Sequence, residues 1–267
     1  MKQYLSFFRI RFLAGLQYRA AAWAGIATQF AWGGMAVLMF RAFYSSGQNS
    51  FPMTMAQVSS YIWLQQALLS MYMTWFFDND IFDTITSGSI SYELSRPCDL
   101  YTMWFVKNMA IRLSRTVLRC LPILIFSAFL PAPYGIALPP DIPTGLLALV
   151  SMLLGFFVLI AFSMLIYISA FFTVSAQGLR ILAASVMEFL AGGVLPLPFF
   201  PAYLQSVMNL LPFASVQNTP FLIYVGHLDF ASALRSMLIQ VLWLVILVIA
   251  GRLLMIKATK KVVIQGG

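Results

Sequence analysis

Two stretches without a charged side chain, residues 20–40 and 146–174, place the strongest constraint on how this chain of 267 residues can fold. About 20 apolar residues in a helix cross the roughly 30 Å hydrocarbon core of a bilayer. Helices satisfy their own backbone hydrogen bonds in lipid, whereas a β-barrel would need short alternating segments, which this sequence does not show. Because 61% of the residues are hydrophobic and only 9% are charged, we predict an all-α, polytopic membrane protein.

The hydropathy pattern predicts six transmembrane helices that follow an N-terminal amphipathic helix over residues 1–19. The six predicted spans lie near residues 21–43, 58–77, 108–130, 145–173, 178–200 and 236–256. Residues 20–267 would then form one six-span domain. The N-terminal segment has apolar residues at helical spacing, namely Leu5, Phe8, Phe12 and Leu16. A basic helix with such a face favours the membrane interface, and a charged flank with incidental helicity is the alternative.

The distribution of the 16 lysine and arginine residues predicts the orientation of the chain. With six spans and a cytoplasmic N-terminus, all of them except Arg41 and Arg235 fall on the cytoplasmic side. The basic residues on that side are Lys2, Arg9, Arg11, Arg19, Arg96, Lys107, Arg112, Arg115, Arg119, Arg180, Arg252, Lys257, Lys260 and Lys261. Since lysine and arginine concentrate in cytoplasmic loops, both termini are predicted to be cytoplasmic. These charges flank spans and form no continuous patch, so no nucleic-acid partner is expected.

The polar segment between the second and third spans, residues 78–107, is predicted to form a structured elbow. Its first part, DNDIFDTITSG, begins with acids that suit a helix N-terminus and ends at Gly88, a plausible helix stop. Arg96 precedes Pro97 and is therefore biased away from helix, and Asp99 can cap the helix that follows. We predict a helix, a break and a second helix, held beneath the membrane.

The middle of this elbow is either a docking site for a partner protein or a plain linker between spans. Ile90 and Leu94 would form the apolar side of a short helical turn. The charged candidates for the contact are Glu93, Arg96 and Asp99. A linker between spans does not need so many caps and breaks, which favours a docking role.

The apolar segment 192–212, after the fifth span, is interrupted by turn-forming residues. These are Gly192, Gly193, Pro196, Pro198 and Pro201. One interpretation is a partly re-entrant outer hairpin with a short amphipathic helix over residues 201–211, since irregular backbone at membrane depth is tolerated where protein covers it. A kinked span followed by an interfacial loop is the other.

Glu188 is an acid within the fifth predicted span. It lies about 12 Å along a helix from Arg180, which places it near the bilayer midplane. A carboxylate at that depth is costly and usually faces protein or a water-filled cavity. It would contact a cationic or hydrogen-bonding substrate, form an ion pair with Arg119, or be a protonated, hydrogen-bonded acid.

The sequence lacks motifs for ATP hydrolysis and for metal binding. It contains no G-x-x-x-x-G-K-[ST] phosphate loop, so the chain is not expected to hydrolyse ATP. The single histidine, His227, and the two cysteines, Cys98 and Cys120, form no recognisable metal site, and no cofactor is expected. The chain is therefore predicted to be non-catalytic.

Four features together resemble ABC-2 type permeases, the six-span membrane subunits of many bacterial ATP-driven exporters. They are the basic N-terminal helix, the elbow ITSGSISYELSRPCDLY, the segment FLAGGVLPLPFFPAYLQSVMNLLPF and the tail KATKKVVIQGG. The most specific part is a G-x-[IL]-x-x-x-L-x-R-P-like pattern formed by Gly88, Ile90, Leu94, Arg96 and Pro97. The resemblance covers essentially the whole chain and is closest to the branch with two related permeases and one ATPase.

The resemblance implies a coupling helix within residues 81–99 that docks on a separate ATPase subunit, where ATP and magnesium would be bound. It also implies a second permease, identical or related, with Glu188 in the wall of the pathway between the two. The expected substrate is small and amphipathic or drug-like, as in multidrug efflux. The expected location is the bacterial cytoplasmic (inner) membrane, in contact with membrane lipid.

Two other functions remain open from the residues alone. A membrane scaffold or assembly protein would explain the spans and the elbow, but it gives no role to Glu188 or to the broken outer segment. A stand-alone secondary carrier would transport without an ATPase. Such carriers usually show paired repeats and chains of ionisable groups, which this sequence does not contain.

Overall fold

The computed structural model of this protein describes residues 2–17, 19–46, 51–173 and 176–260. Lys261 and the rest of the predicted basic tail lie outside the described residues, as does the side chain of Arg19. The described residues form helices and no β-strand, which confirms the all-α class.

Twelve α-helices follow one another in the described part of the chain. In the first half they are α1 (Lys2–Gly15), α2 (Arg19–Ser45), α3 (Met55–Ala67), α4 (Leu69–Tyr72), α5 (Asn79–Thr86), α6 (Ile90–Leu94) and α7 (Leu100–Ala128). In the second half they are α8 (Ile142–Ser169), α9 (Gln177–Leu190), α10 (Ala202–Met208), α11 (Asn218–Tyr224) and α12 (Phe230–Thr259). A 3-10 turn over Leu197–Phe199 precedes α10.

Three of these helices are long and apolar enough, by themselves, to cross a membrane. They are Ala22–Ser45 within α2, Ile142–Ser169, which is α8, and Phe230–Thr259, which is α12. They coincide with the first, fourth and sixth predicted spans. The chain is therefore a membrane protein with at least these three candidate crossings in its described part.

The other three predicted spans are not continuous apolar helices. α7 has 29 residues, but its apolar sequence is interrupted by Lys107, Arg112, Arg115 and Arg119. The helix predicted at 58–77 breaks, because α3 ends at Ala67 and α4 adds only four residues. The helix predicted at 178–200 ends at Leu190, and the 14 residues of α9 reach about 21 Å. Helix length and apolarity therefore support three of the six predicted spans.

α8 forms the centre of the fold. Residues Val158, Leu159, Ile160 and Ala161 are four consecutive positions with 0% exposure. A helix that is apolar and buried on every side is a core helix, and α7, α11 and α12 all pack against it. Asp141 caps its N-terminus by accepting a hydrogen bond from Thr144 N at 2.7 Å, which lowers the pKa of the Asp141 carboxyl.

α1 packs alongside the first half of α7, with both helices running in the same direction. Near its start, Tyr4 Oη accepts a hydrogen bond from Asp99 N at 2.9 Å. At its end, Gly15 lies so close to Ser114 that a methyl group on the glycine would stand 2.7 Å from Ser114 Cβ. Leu5, on the predicted apolar face, is 69% exposed. The other residues of that face, Phe8, Phe12 and Leu16, are half-buried, so only its N-terminal part is exposed.

Candidate functional site

The segment between α4 and α7 folds into the predicted helix–break–helix elbow. Asp78 caps α5, and its Oδ1 accepts a hydrogen bond from Asp80 N at 3.1 Å. Gly88 follows α5 with a φ of +74°, a left-handed conformation that glycine adopts without a Cβ clash. Asp99 caps α7, and its Oδ2 accepts from Thr102 N at 2.9 Å. Gly88 and Asp99 therefore have the local roles predicted for them.

α6, the short helix in the middle of the elbow, is fixed to α7 by one apolar and one polar contact. Ile90 is 1% exposed and belongs to the core. Glu93 accepts a hydrogen bond from the indole Nε1 of Trp104 at 2.7 Å, and Trp104 is itself 1% exposed. Leu94 is exposed, so it does not share a buried face with Ile90 as predicted. Glu93, a predicted contact for a partner, is already engaged within the chain.

The remaining residues of the elbow form an exposed surface. We call this the elbow surface, and it consists of Tyr92, Leu94, Arg96, Pro97 and Asp99. Tyr92 is 75% exposed and was not among the predicted contact residues. Its position two residues after the buried Ile90 is the signal that could have identified it, because residues two apart lie on nearly opposite sides of a helix.

Lys107 of α7 fixes the start of the elbow. Its Nζ lies 2.7 Å from Asp78 Oδ2 and 3.2 Å from Asp80 Oδ2. The side chains of Lys107 and Asp78 are each only 9% exposed. From the sequence Lys107 was simply one of the cytoplasmic charges. In the structure it belongs to a buried ion pair, because the acids that begin α5 stand beside α7.

Arg112 holds the break between α4 and α5 and is 0% exposed. Its guanidinium donates to the carbonyl oxygens of Met71 at 3.3 Å, Met73 at 2.8 Å and Phe76 at 2.9 Å. Its Nε donates to Asn108 Oδ1 at 2.7 Å. The last carbonyls of a helix have no partner within that helix, so this one side chain satisfies groups that the break leaves free. The sequence analysis counted Arg112 only as a charge at the cytoplasmic side.

Two further helices bind the same region. Tyr167 Oη of α8 accepts hydrogen bonds from Asp78 N at 2.7 Å and from Asn108 Nδ2 at 2.9 Å. Arg180 of α9 donates to Asn79 Oδ1 at 2.9 Å. We call Asp78, Lys107, Asn108, Arg112 and Tyr167 the anchor network. Together with the bond from Arg180, these contacts join the elbow to α7, α8 and α9.

Glu188 lies in α9, where its Oε2 accepts a hydrogen bond from Thr74 Oγ1 at 2.7 Å. Thr74 belongs to the non-helical segment that Arg112 holds, so the acid is bonded to the break after α4. Arg119 instead lies against α2, where a methyl group on Gly25 would come within 2.6 Å of its Cζ. Of the alternatives considered for Glu188, the structure therefore shows a hydrogen-bonded acid and no ion pair between Glu188 and Arg119.

The glycines after α9 are held by polar side chains of α3 and by Asn218. Gly192 has a φ of +78°, and its carbonyl oxygen accepts a hydrogen bond from Tyr61 Oη at 3.1 Å. The carbonyl oxygen of Gly193 accepts from Gln65 Nε2. Asn218 Oδ1 accepts from Tyr61 Oη at 3.3 Å. These contacts tie the end of α9 to the end of the fold opposite the elbow.

The prolines of this segment mark its short helical pieces. Pro196 directly precedes the 3-10 turn and Pro201 directly precedes α10. Gln205 of α10 folds back and donates to the carbonyl oxygen of Pro198 at 3.0 Å. The short helix predicted at 201–211 is therefore present as α10, but it ends earlier, at Met208.

The most deeply buried part of this region lies beyond the predicted hairpin, at residues 214–223. Gln240 of α12 donates to the carbonyl oxygens of Ser215 at 2.8 Å and Ser151 at 3.1 Å. Gly155 of α8 lies so close that a methyl group there would stand 2.7 Å from Ser215 O. The sequence analysis missed this segment. The polar run SVQNTP inside an apolar region was the signal that could have located it.

A comparison with protein families matches residues 30–266 to the model described as ABC-2 family transporter protein. The chain belongs to the ABC-2 transporter family. A comparison with curated proteins finds no match. The family is a membrane transport component, generally non-catalytic, that works with ATPase partners in ABC transporters.

The elbow, the anchor network and Glu188 lie within the residues that match the family model, whereas α1 precedes them. The predicted site residues of this ABC-2 protein fall into two groups. The elbow residues lie at one end of the fold, and the glycines and prolines of segment 192–212 lie at the other. α9 connects the two groups, since Arg180 near its start binds the elbow and Gly192 follows its end.

Proposed function

We propose that this ABC-2 protein is the permease subunit of an exporter that separate ATPase subunits drive. The elbow surface carries the proposal, because it exposes Tyr92, Leu94 and Arg96 on a turn that Glu93 fixes to α7. The anchor network joins the start of the same elbow to α7 and α8, and Arg180 joins it to α9. A passive linker needs no such network, whereas a docking site that transmits force does. ATP and its magnesium ion would bind to the ATPase, because this sequence has no phosphate loop.

Six crossings with both termini in the cytoplasm suit this function. The α3–α4 pair, α7 and α9 would supply the three crossings that are not continuous apolar helices. Broken helices are tolerated at membrane depth where protein satisfies the freed backbone groups, as Arg112 does after α4. Both ends of the chain approach the elbow, since Tyr4 contacts Asp99 and Arg252 contacts Thr102. The basic residues at this end favour the cytoplasmic face of the bacterial inner membrane.

The translocation pathway would form between this chain and a second ABC-2 permease, either identical or related. α9 supports this arrangement because it packs on the rest of the chain through few residues, with Ala183 and Met187 buried. Its exposed apolar residues are Ile181, Leu182, Val186 and Phe189. Glu188 on the same helix would contribute a polar group to the pathway wall. Segment 192–212 would cover the outer exit for a small amphipathic or drug-like substrate.

Replacing Glu188 by glutamine tests its place in the pathway. An amide oxygen still accepts the hydrogen bond from Thr74, so we expect Glu188→Gln to fold and assemble normally. Loss of the carboxylate removes a charged contact worth about 1.5–3 kcal/mol, which corresponds to roughly tenfold or more in recognition of a cation. Export of a cationic amphiphile should therefore fall about tenfold, measured in inverted vesicles, while export of a neutral analogue is unchanged.

Glu188→Ala provides the matched structural control, since it also removes the bond to Thr74. It should lower thermal stability, which Glu188→Gln should not. If folded Glu188→Gln protein lost export of the neutral and the cationic substrate equally, Glu188 would have only a structural role.

Co-purification from the native membrane tests the proposed function itself. The tagged full-length chain is solubilised gently, and mass spectrometry identifies what it brings with it. We expect a stoichiometric ATPase subunit, together with either a second six-span permease or a second copy of this chain. Recovery of the chain alone, under conditions that keep other membrane complexes intact, would favour a scaffold or a stand-alone carrier and would contradict the exporter assignment.

A further inference from the structure

A cavity of about 650 Å³ lies where the end of α1, the start of α2, the middle of α7 and residues 76–80 meet. Its cationic wall is formed by Arg11, Arg115 and Arg119. Its apolar wall includes Ala14, Ala22 and Leu118. The cavity therefore combines concentrated positive charge with a surface that suits hydrocarbon.

The basic groups in and beside the cavity outnumber the acids at its rim. Asp78 and Asp80 line one edge, and Lys107 binds both of them, at 2.7 Å and 3.2 Å. Arg112 lies buried directly behind that edge. Lys107, Arg112 and the three arginines of the cationic wall are five basic groups against two carboxylates, so the charge in and around the cavity is positive by count.

The arginines are positioned by their neighbours. The Cζ of Arg115 lies 4.3 Å from the centre of the Phe76 ring, and the Cζ of Arg11 lies 5.4 Å from that of Phe7. A guanidinium that stacks on a ring keeps its N–H groups in a fixed plane, and such groups bind phosphate oxygens in pairs. Ring contacts therefore restrict two of the three arginines, whose N–H groups suit the oxygens of a phosphate group.

We propose that this cavity binds the headgroup phosphate of an anionic phospholipid, whose acyl chains lie along the apolar wall and α1. Basic cavities between membrane helices are typical sites for anionic headgroups. α1 itself turns Leu5 and Ile10 outward, with 69% and 65% exposure. A soluble phosphate ester would satisfy the arginines equally, but it would leave the apolar wall in contact with water. The proposal is independent of which substrate the protein transports.

A lipid in this cavity would connect α1 to the anchor network. Arg11 belongs to α1 and Arg115 to α7, while residues 76–80 lead directly into α5 of the elbow. One phosphate bound to both arginines would hold the two helices together beside the elbow. We therefore expect the folded chain to be more resistant to heat when anionic lipid is present, since a ligand that binds the folded state stabilises it.

Binding of phosphatidylglycerol to the purified full-length chain, followed by native mass spectrometry and by thermal unfolding, tests the proposal. Wild-type protein should bind phosphatidylglycerol more tightly than phosphatidylcholine and should be stabilised by it. Each arginine near an anionic headgroup contributes about a fivefold gain in affinity, so Arg11→Gln with Arg115→Gln should weaken binding about 25-fold. Arg9→Gln is the matched control, because Arg9 is exposed on the same helix and does not line the cavity.

Ala14→Phe provides a second variant that leaves every charge in place. Ala14 is exposed on α1 and lines the cavity, so a phenylalanine there should fold and should reduce lipid binding about tenfold by occupying the apolar space. Equal binding of the two lipids by the wild type, or unchanged binding in both variants, would overturn the proposal. Tight binding of sn-glycerol 3-phosphate would also overturn it, since that result would identify a site for a soluble phosphate ester.

Discussion

A protein carrying Arg96→Glu together with Tyr92→Ala is expected to lose ATP-driven export while its membrane helices remain folded. Both side chains lie on the elbow surface, and Tyr92 is 75% exposed. Tyrosine and arginine are the residue types that most often dominate a protein interface, each at about 2 kcal/mol or more. Their combined removal should weaken ATPase docking by at least roughly 30-fold.

Two measurements test this effect together: ATP-driven transport into inverted vesicles, and co-purification of the ATPase with the tagged chain. Lys257→Glu is the matched control, because Lys257 is an exposed basic residue at the end of α12 and lies outside the elbow surface. The control should retain the ATPase and export at the wild-type rate. If the double variant retained the ATPase and exported at the wild-type rate, the elbow surface would not be the site that contacts the ATPase.

The structure also determines which substitutions change the elbow surface without breaking contacts inside the chain. From the sequence alone, charge reversal at both Arg96 and Glu93 is the natural test of the elbow. Glu93, however, accepts the hydrogen bond of the buried Trp104 indole at 2.7 Å. Glu93→Lys would leave that donor without its partner and place a new positive charge beside the ring. A loss of export in such a variant would therefore report damage within the chain as well as lost docking.

Arg112→Met is expected to destabilise the folded chain by about 3–5 kcal/mol, the largest effect of any single substitution considered for this protein. The variant leaves the carbonyl oxygens of Met73 and Phe76 without the donors that now lie at 2.8 Å and 2.9 Å. Each buried acceptor without a partner costs about 1–3 kcal/mol. The break after α4 would then lose the side chain that holds it, and the elbow would lose its connection to α7.

Thermal unfolding in lipid bicelles measures this loss, with Arg235→Met as the matched control at an exposed arginine. The control should unfold at nearly the wild-type temperature. Arg112→Lys should fall between the two, since an ammonium group keeps the charge but cannot reach several carbonyls in one plane. A wild-type unfolding temperature for Arg112→Met would show that the break is held by other contacts.

The sequence by itself determined the features that depend only on residues adjacent along the chain. Long uncharged stretches identified α2, α8 and α12, because burial in lipid requires a continuous apolar helix. In the elbow, the helix stop at Gly88, the break before Pro97 and the cap at Asp99 were predicted, whereas the contact of Glu93 with Trp104 was not. Helix caps and breaks act over three or four residues, so a local pattern contains all the information that they need.

The tertiary structure alone decided which polar groups meet across the fold. Nothing near Arg112 in the sequence indicates that it binds carbonyl oxygens around Met73 and Phe76, and nothing near Glu188 indicates Thr74. The breaks after α4 and α9 depend on such partners, because a helix can end within a packed core only where another segment satisfies its free backbone groups. That requirement is met by residues distant in the chain, and only the packed fold brings them together.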